Sequence, residues 1–214
     1  MMRCVIAGLS VLAGWAGLAA GQTVKVDFGT GAGTPAASHA AGGLEGFWNT
    51  VGAGGGTWMS LRLLGGETSG VVLRTSALEF DVDRWDVDDG SVMADYLAAR
   101  HSDATLEFAG LEAGWYRVLT YSGYSGTPSH PTRVWINGNE GGAQEISGPY
   151  TGTFAVGVTH SEHLVRVLED GELLINIYTW GDAVVNGVQL VQVPGAGTGA
   201  ALVLGGLLVR RRRR

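Results

Sequence analysis

The stretch from residue 104 to residue 121 most constrains the fold, because it contains two runs with the two-residue period of β-strands. In the first run, Leu106 and Phe108 alternate with polar neighbours, which is typical of a strand with one buried face. The second run, residues 115–121, is rich in aromatic and β-branched side chains and follows a glycine-containing break. We therefore expect the two runs to be neighbouring strands of an antiparallel sheet.

Short runs of the same kind recur along residues 22–193, with turn signals about every 8 to 12 residues. This spacing predicts an all-β fold, an antiparallel β-sandwich of the jelly-roll kind. The exception is residues 91–100, where Ser91 could cap one short helix with Met93 and Leu97 on the same face.

Three dipeptides mark turns in the second half of the body. Asn137-Gly138 and Asp170-Gly171 accept positive φ and favour tight hairpins. Asn186-Gly187 predicts a tight turn or bulge before the final strand, with a mainly structural role.

Residues 110–124, GLEAGWYRVLTYSGY, carry a family resemblance. They resemble the G-L-x-x-G-x-Y-x-V turn and strand of the β-sandwich modules grouped as galactose-binding-like, malectin-like and carbohydrate-binding domains. Shorter matches lie at residues 26–29, 47–49 and 184–190. The resemblance implies a β-sandwich body, in which related modules often hold a structural Ca²⁺.

The amino-terminal end predicts export. Arg3 precedes an apolar run over residues 5–20, and small residues close the run before Gln22. Residues 1–21 are therefore expected to be a signal peptide, with a retained membrane anchor as the alternative.

The carboxy-terminal end, residues 194–214, predicts sorting. A glycine-rich linker follows Pro194, residues 200–209 are apolar, and the chain closes with Arg210, Arg211, Arg212, Arg213 and Arg214. The apolar segment is short for a stable span, so we expect a hydrophobic helix that enters the inner membrane transiently and leaves the body outside.

This carboxy-terminal arrangement resembles the PEP-CTERM class of bacterial sorting signals. The resemblance implies a sorting protease of the exosortase type and delivery to the cell surface or extracellular matrix. Gly195 and Ala196 follow Pro194, so the glutamate and second proline of that motif are missing. A rhomboid-like protease or an ordinary retained anchor therefore stays open.

Charge excludes one class of partner. All 20 acidic residues but only 8 of the 14 basic residues lie within residues 25–182, which gives the body a net charge of −12. Such a surface repels phosphate backbones and argues against nucleic-acid binding. The single cysteine, Cys4, lies in the predicted signal peptide, so we expect no disulfide in the exported body.

An acidic loop near residue 86 is the best candidate for a metal site, because hard cations prefer several carboxylate oxygens close together. Its spacing does not match an EF-hand, and a solvated acidic turn is the competing interpretation. We expect no other cofactor. The candidate ligands for a structural Ca²⁺ are Asp83, Asp86, Asp88 and Asp89.

Aromatic side chains carry the ligand hypothesis, since exposed Trp and Tyr form platforms for the apolar faces of sugar rings beside amide groups that bind the hydroxyls. Trp115 and Trp135 lie within predicted strands, and we expect them in the core. The candidate ligand-binding residues are Trp48, Asn49, Trp58, Tyr121, Tyr124, Tyr150 and Trp180.

These observations favour a secreted, surface-sorted, non-enzymatic module that binds a polysaccharide or another glycan of the extracellular matrix. A structural envelope or matrix protein without a specific ligand is the second interpretation. A polysaccharide hydrolase or lyase is the third, and it would need two carboxylates facing each other across a cleft.

Overall fold

The computed structural model describes residues 21–30, 34–38, 41–76, 78, 80–83, 91–99, 102–123, 131–138 and 142–194. Within these ranges the chain forms fourteen strands and no helix. The strands are β1 (Thr23–Phe28), β2 (Asn49–Val51), β3 (Met59–Arg62), β4 (Thr68–Ser76), β5 (Phe80–Asp83), β6 (Asp95–Ala99), β7 (Ala104–Ala109), β8 (Gly114–Tyr121), β9 (Thr132–Ile136), β10 (Gln144–Ile146), β11 (His160–Val167), β12 (Leu173–Tyr178), β13 (Ala183–Val185) and β14 (Gly187–Val193). No described residue belongs to a helix of the length and apolarity that crossing a membrane requires.

The strands form three sheets. A five-stranded sheet has the order β11-β8-β14-β1-β2, a six-stranded sheet has the order β10-β9-β12-β7-β4-β3, and a small sheet has the order β13-β6-β5. Every pairing is antiparallel except that of β1 with β2. The all-β antiparallel prediction is therefore confirmed.

One hydrophobic core fills the space between the two large sheets. Val24 and Val26 of the five-stranded sheet belong to the same buried cluster as Leu106 and Phe108 of the six-stranded sheet. Each of these pairs is spaced two residues apart, so the intervening side chains point to the outer face of their sheet. The outer faces are where a β-sandwich can place a binding site.

The prediction that residues 104–109 and 115–121 are sheet neighbours is wrong. β7 belongs to the six-stranded sheet, whereas β8 belongs to the five-stranded sheet and pairs with β11 and β14. The break between them crosses the sandwich, and Leu111 within it is buried in the core. Both strands have one apolar face. That face is buried whether the two strands are neighbours in one sheet or lie in opposite sheets of the sandwich.

The helix predicted over residues 91–100 is also wrong. Ser91 does accept a hydrogen bond from the backbone N–H of Met93 (3.1 Å), but the turn ends at residue 94 and β6 begins. β6 pairs with β5 on one side and β13 on the other. Two-sided pairing and near-complete burial override the weak helical preference of so short a segment.

The dipeptide turns act differently from the predicted hairpins. Asn137-Gly138 closes β9, with Gly138 at φ +72°, but the return strand β10 starts only at residue 144. Asp170-Gly171 joins β11 and β12, which lie in different sheets. Turn chemistry fixes the local φ but does not decide which strands pair.

Asn186 is a fully buried joint between β13 and β14. Its N–H donates to Tyr121 O (3.0 Å), its carbonyl accepts from Phe28 N (2.8 Å), and its Nδ2 donates to Asp95 O (2.7 Å). Asn186 thereby connects the small sheet to the five-stranded sheet, in keeping with the structural role predicted for it.

Candidate functional site

The outer face of the six-stranded sheet carries a row of polar and aromatic side chains. On β12, Asn176 lies opposite Trp135 of β9 on one side and Thr105 of β7 on the other. Their chain neighbours point into the core, so these three side chains point outward. The row is continuous across three strands.

A second row runs beside the first and ends at Trp58. Glu107 of β7 lies directly opposite Arg74 of β4, and Arg74 Nε donates to Glu107 Oε2 at 2.9 Å. A second guanidinium nitrogen of Arg74 bonds the same oxygen. The Arg74 guanidinium also lies over the Trp58 ring, 4.9 Å from the ring centroid. Arg74 therefore holds both the carboxylate and the indole in fixed positions.

We name this surface the tryptophan face. It consists of Trp58, Arg74, Thr105, Glu107, Trp135 and Asn176. A cleft of about 480 Å³ lies on it, lined by Gly55, Gly56, Arg74, Thr75, Ser76, Thr105 and Glu107.

The two indoles lie near opposite edges of the tryptophan face. Trp58 is 41% exposed and Trp135 is 39% exposed. Four strand spacings separate β3 from β9, which is roughly 19 Å. Thr105 Oγ1 donates to Asn176 Oδ1 (3.3 Å) between them. The face thus offers an apolar platform at each end and hydroxyl, amide, carboxylate and guanidinium groups in the middle.

Trp135 and Trp115 were expected in the core, and both predictions are wrong. Trp135 alternates with the buried Val134 and Ile136, and Trp115 precedes the buried Tyr116. The two-residue period therefore turns both indoles to outer faces, where Trp115 is 46% exposed. Attention to this period would have found Trp135, Asn176, Arg74 and Glu107 as outward-facing candidates.

Two of the predicted ligand residues are buried. Trp48 is 2% exposed and Tyr121 is fully buried, and both pack in a cluster on the outer face of the five-stranded sheet. Tyr121 Oη donates to Gln189 Oε1 (2.8 Å) and accepts from the N–H of Ala41 (2.9 Å). Residues 34–38 and 41–48, which we name the cover segment, lie over this face, so neither ring forms a surface platform.

Asn49 is also buried, and its amide joins the edges of the two large sheets. Its Nδ2 donates to the carbonyls of Lys25 and Arg62 (2.9 Å each), and its Oδ1 accepts from Arg62 N (2.7 Å). All of these partners are backbone groups. The Asn49 side chain therefore links the two sheets as a backbone amide would, and it does not serve as a ligand contact.

The remaining predicted ligand residues have different fates. Trp58 lies on the tryptophan face. Tyr150 is half-buried against Phe154, with ring centroids 5.2 Å apart. Trp180 is 81% exposed, two residues after β12. Tyr124 lies outside the described residues.

Most of the acidic loop lies outside the described residues. The backbone of Asp83 ends β5, and Asp86, Asp88 and Asp89 lie outside the described residues. In the part of the chain that is described, no three His, Cys, Asp or Glu side chains group together as a metal site would require. The predicted Ca²⁺ site stays a prediction.

No protein-family model matches the chain, and no curated protein matches it. Several solved structures are similar to part of the chain. The family 35 carbohydrate binding module from Clostridium thermocellum is 14% identical with a TM-score of 0.34, over 56% of this chain and 92% of that one. The C-terminal CBM6 of LamC from Zobellia galactanivorans is 14% identical with a TM-score of 0.30, over 55% of this chain and 90% of that one.

An enzyme is also similar over part of its length. The family GH115 4-O-methyl-α-glucuronidase BtGH115A is 13% identical with a TM-score of 0.34, over 47% of this chain. The chain spans only 15% of that enzyme's length, so the activity of the whole enzyme is not carried over to it.

Proposed function

We propose that this chain is a non-enzymatic β-sandwich module that binds a neutral polysaccharide along the tryptophan face. The observation that supports the proposal most is the arrangement of the two rows, in which half-exposed Trp58 and Trp135 lie on either side of hydrogen-bonding side chains. A sugar ring has an apolar C–H face that stacks on an indole and a rim of hydroxyls that donate and accept hydrogen bonds. The tryptophan face offers a partner to each.

Charge supports a neutral glycan rather than an anionic one. The Arg74 guanidinium is paired with the Glu107 carboxylate, so the centre of the face has no net charge. The body around it has a net charge of −12 and repels polyanions. Hydroxyl groups can bond to both members of such a pair without breaking it.

The absence of catalysis is part of the proposal. Glycoside hydrolysis uses two carboxyl groups about 5 to 9.5 Å apart across the scissile bond. Among the described residues that line the cleft, Glu107 is the one carboxylate, and Arg74 binds it. The described lining of the cleft therefore does not supply the second carboxyl group that this chemistry needs.

Export and sorting complete the proposal, and the sequence alone supports them. Residues 1–21 serve as a signal peptide, and residues 194–214 act with a sorting protease and the inner membrane. Except for Gly21 and Pro194, both segments lie outside the described residues. The finer jelly-roll topology and a structural Ca²⁺ belong to the same proposal.

The test is binding of the exported body, residues 22–193, to laminarin, β-1,4-galactan and xylan, with alginate as the anionic control. Binding of a neutral polymer should fall at least 10-fold in Trp58→Ala and in Trp135→Ala. Trp180→Ala is the matched control, because Trp180 is exposed but follows the end of β12 and does not line the cleft. Binding by the parent body that neither face variant weakens would contradict the proposed site.

A structural role without a specific ligand is the second candidate. Burial of Trp48 and Tyr121 favours it, because two of the predicted platforms serve packing instead. Failure of the parent body to bind any of the three neutral polymers would favour this second candidate.

A further inference from the structure

A second half-exposed tryptophan site lies on the opposite side of the sandwich. Trp115 of β8 is on the outer face of the five-stranded sheet, with Arg166 of β11 opposite it on one side and Val193 of β14 on the other. Trp115 is the most exposed of the strand tryptophans, at 46%. It lies clear of the cover segment, which occupies the other end of this face near Tyr121.

Trp115 is part of a cleft of about 660 Å³ that is larger than the cleft on the tryptophan face. The cleft is lined by Ala113, Gly114, Trp115, Arg166, Val167, Leu168, Glu169 and Asp170. We name it the Trp115 cleft. It combines an indole, a guanidinium and two carboxylates, which are the same kinds of group that Trp58, Arg74 and Glu107 supply on the other face.

Arg166 and Glu169 of the Trp115 cleft are available to a ligand, whereas Asp170 Oδ1 accepts a hydrogen bond from Glu172 N (3.3 Å). Three ion pairs join described residues, and they involve Arg74, Arg117 and Arg133. Arg166 takes part in none of them. Its guanidinium therefore retains its donors beside the exposed indole, and the Glu169 carboxylate lies in the same cleft as an acceptor.

We propose that the Trp115 cleft is a second saccharide-binding site, so that one copy of the chain cross-links two strands of a neutral polysaccharide. The inference rests on the proposed function. One cation beside two carboxylates disfavours a polyanion or an anionic membrane surface, whereas sugar hydroxyls can donate to the carboxylates and accept from Arg166.

The position of the two sites makes them independent. The large sheets pack face to face at about 10 Å, and the two indoles point away from each other on opposite sides of that core. One straight segment of polymer cannot lie on both outer faces. Two sites on one rigid body hold two strands together and raise the apparent affinity for an insoluble or dense polymer.

A bridging assay tests this directly. β-1,4-Galactan, laminarin or xylan is coated on a plate, the body is added, and fluorescein-labelled soluble polymer of the same kind is then captured. The parent body should capture it. Trp115→Ala, Arg166→Ala and Trp58→Ala should each lower the captured label at least 10-fold, while the amount of bound protein stays measurable.

Titration calorimetry with a short oligosaccharide of the same polymer gives the stoichiometry. We expect two oligosaccharides per parent chain and one per Trp115→Ala chain. Leu164→Ala is the matched control, because Leu164 is exposed on the same strand face but does not line the cleft. Circular dichroism and thermal unfolding establish that each variant is folded.

The outcomes separate the two proposals. If the Trp115→Ala chain bridges as the parent does, or if the parent binds one oligosaccharide and Trp58→Ala removes that binding, the second site is overturned while the tryptophan face stands. If the parent body binds no polymer, the proposed function is overturned and the second site with it.

Discussion

The ammonium group of Lys25 lies over the ring of Trp48, 5.1 Å from the ring centroid. Lys25 Nζ also donates to Ala37 O at 2.9 Å and to Leu44 O. Lys25 is fully buried on β1, so its side chain fastens the cover segment onto the outer face of the five-stranded sheet. The tryptophan face and the Trp115 cleft lie outside the area that the cover segment occupies.

Lys25 should make stability increase with pH in the mildly alkaline range. Burial lowers the pKa of Lys25 from 10.5 to about 8, and Glu45 opposes the shift. Above pH 8 the unfolded chain therefore binds more protons than the folded one, and the free energy of unfolding rises toward pH 10. Urea unfolding at pH 7.5, 8.5 and 9.5 should show the rise, and Lys25→Met should flatten it. An equal rise in both proteins would contradict this assignment.

Buried histidines should destabilise the fold in mild acid. Burial lowers the pKa values of His160 and His163 below 6.5, so the unfolded chain binds more protons as the pH falls through 6.5. We expect the free energy of unfolding to decrease from pH 7 to pH 5.5, above the range in which Glu162 titrates. His163→Leu should show a smaller decrease. A pH profile identical to that of the parent would exclude His163 as a source.

Asn49→Ala should lower the free energy of unfolding by about 2 to 3 kcal/mol. The change leaves Arg62 N and two carbonyls without the amide at the junction of the sheets. Asn176→Ala is the control and should cost under about 1 kcal/mol, because Asn176 is partly exposed and makes one long side-chain bond. Urea unfolding compares them, and equal costs would contradict the role given to Asn49.

Gly110→Ala should be far more damaging than Gly142→Ala. Both glycines have positive φ, +78° and +73°, so each alanine costs about 1 to 2 kcal/mol of backbone strain. At Gly110 the added methyl group would also collide with the backbone oxygen of Gly70. At Gly142 the added methyl group would meet nothing within 4 Å. We expect Gly110→Ala to lower the free energy of unfolding by at least about 2 kcal/mol more than Gly142→Ala, as measured by thermal unfolding. Equal losses would contradict the close approach of Gly110 to Gly70 of β4.

Strand positions were predictable because burial of one face imposes a two-residue period. The short runs of this kind at residues 132–136 and 173–178 coincide with β9 and β12. The partners of each strand were not predictable, since β7 and β8 have the same amphipathic pattern whether they share a sheet or face each other across the core. Pairing is set by long-range contacts that a local pattern does not contain.

The candidate site was predictable only in part. Trp58 was identified as an aromatic residue near a predicted strand end, but Trp48 and Tyr121 meet the same criterion and are buried beneath the cover segment. The two-residue period turns Arg74 and Glu107 outward, but their pairing depends on the register of β4 with β7. A single sequence gives which residues face outward, and the register decides which of them meet.

The most direct test of the central claim is an NMR titration of the ¹⁵N-labelled body, in which the indole N–H signals are followed. The ligand is an oligosaccharide of the neutral polymer that the body binds. We predict that the Trp58 and Trp135 signals shift together along one binding curve while the buried Trp48 signal stays in place. Assignment by single Trp→Phe variants identifies each signal. Shifts confined to Trp180, or a titration that leaves Trp58 and Trp135 unchanged, would contradict binding on the tryptophan face.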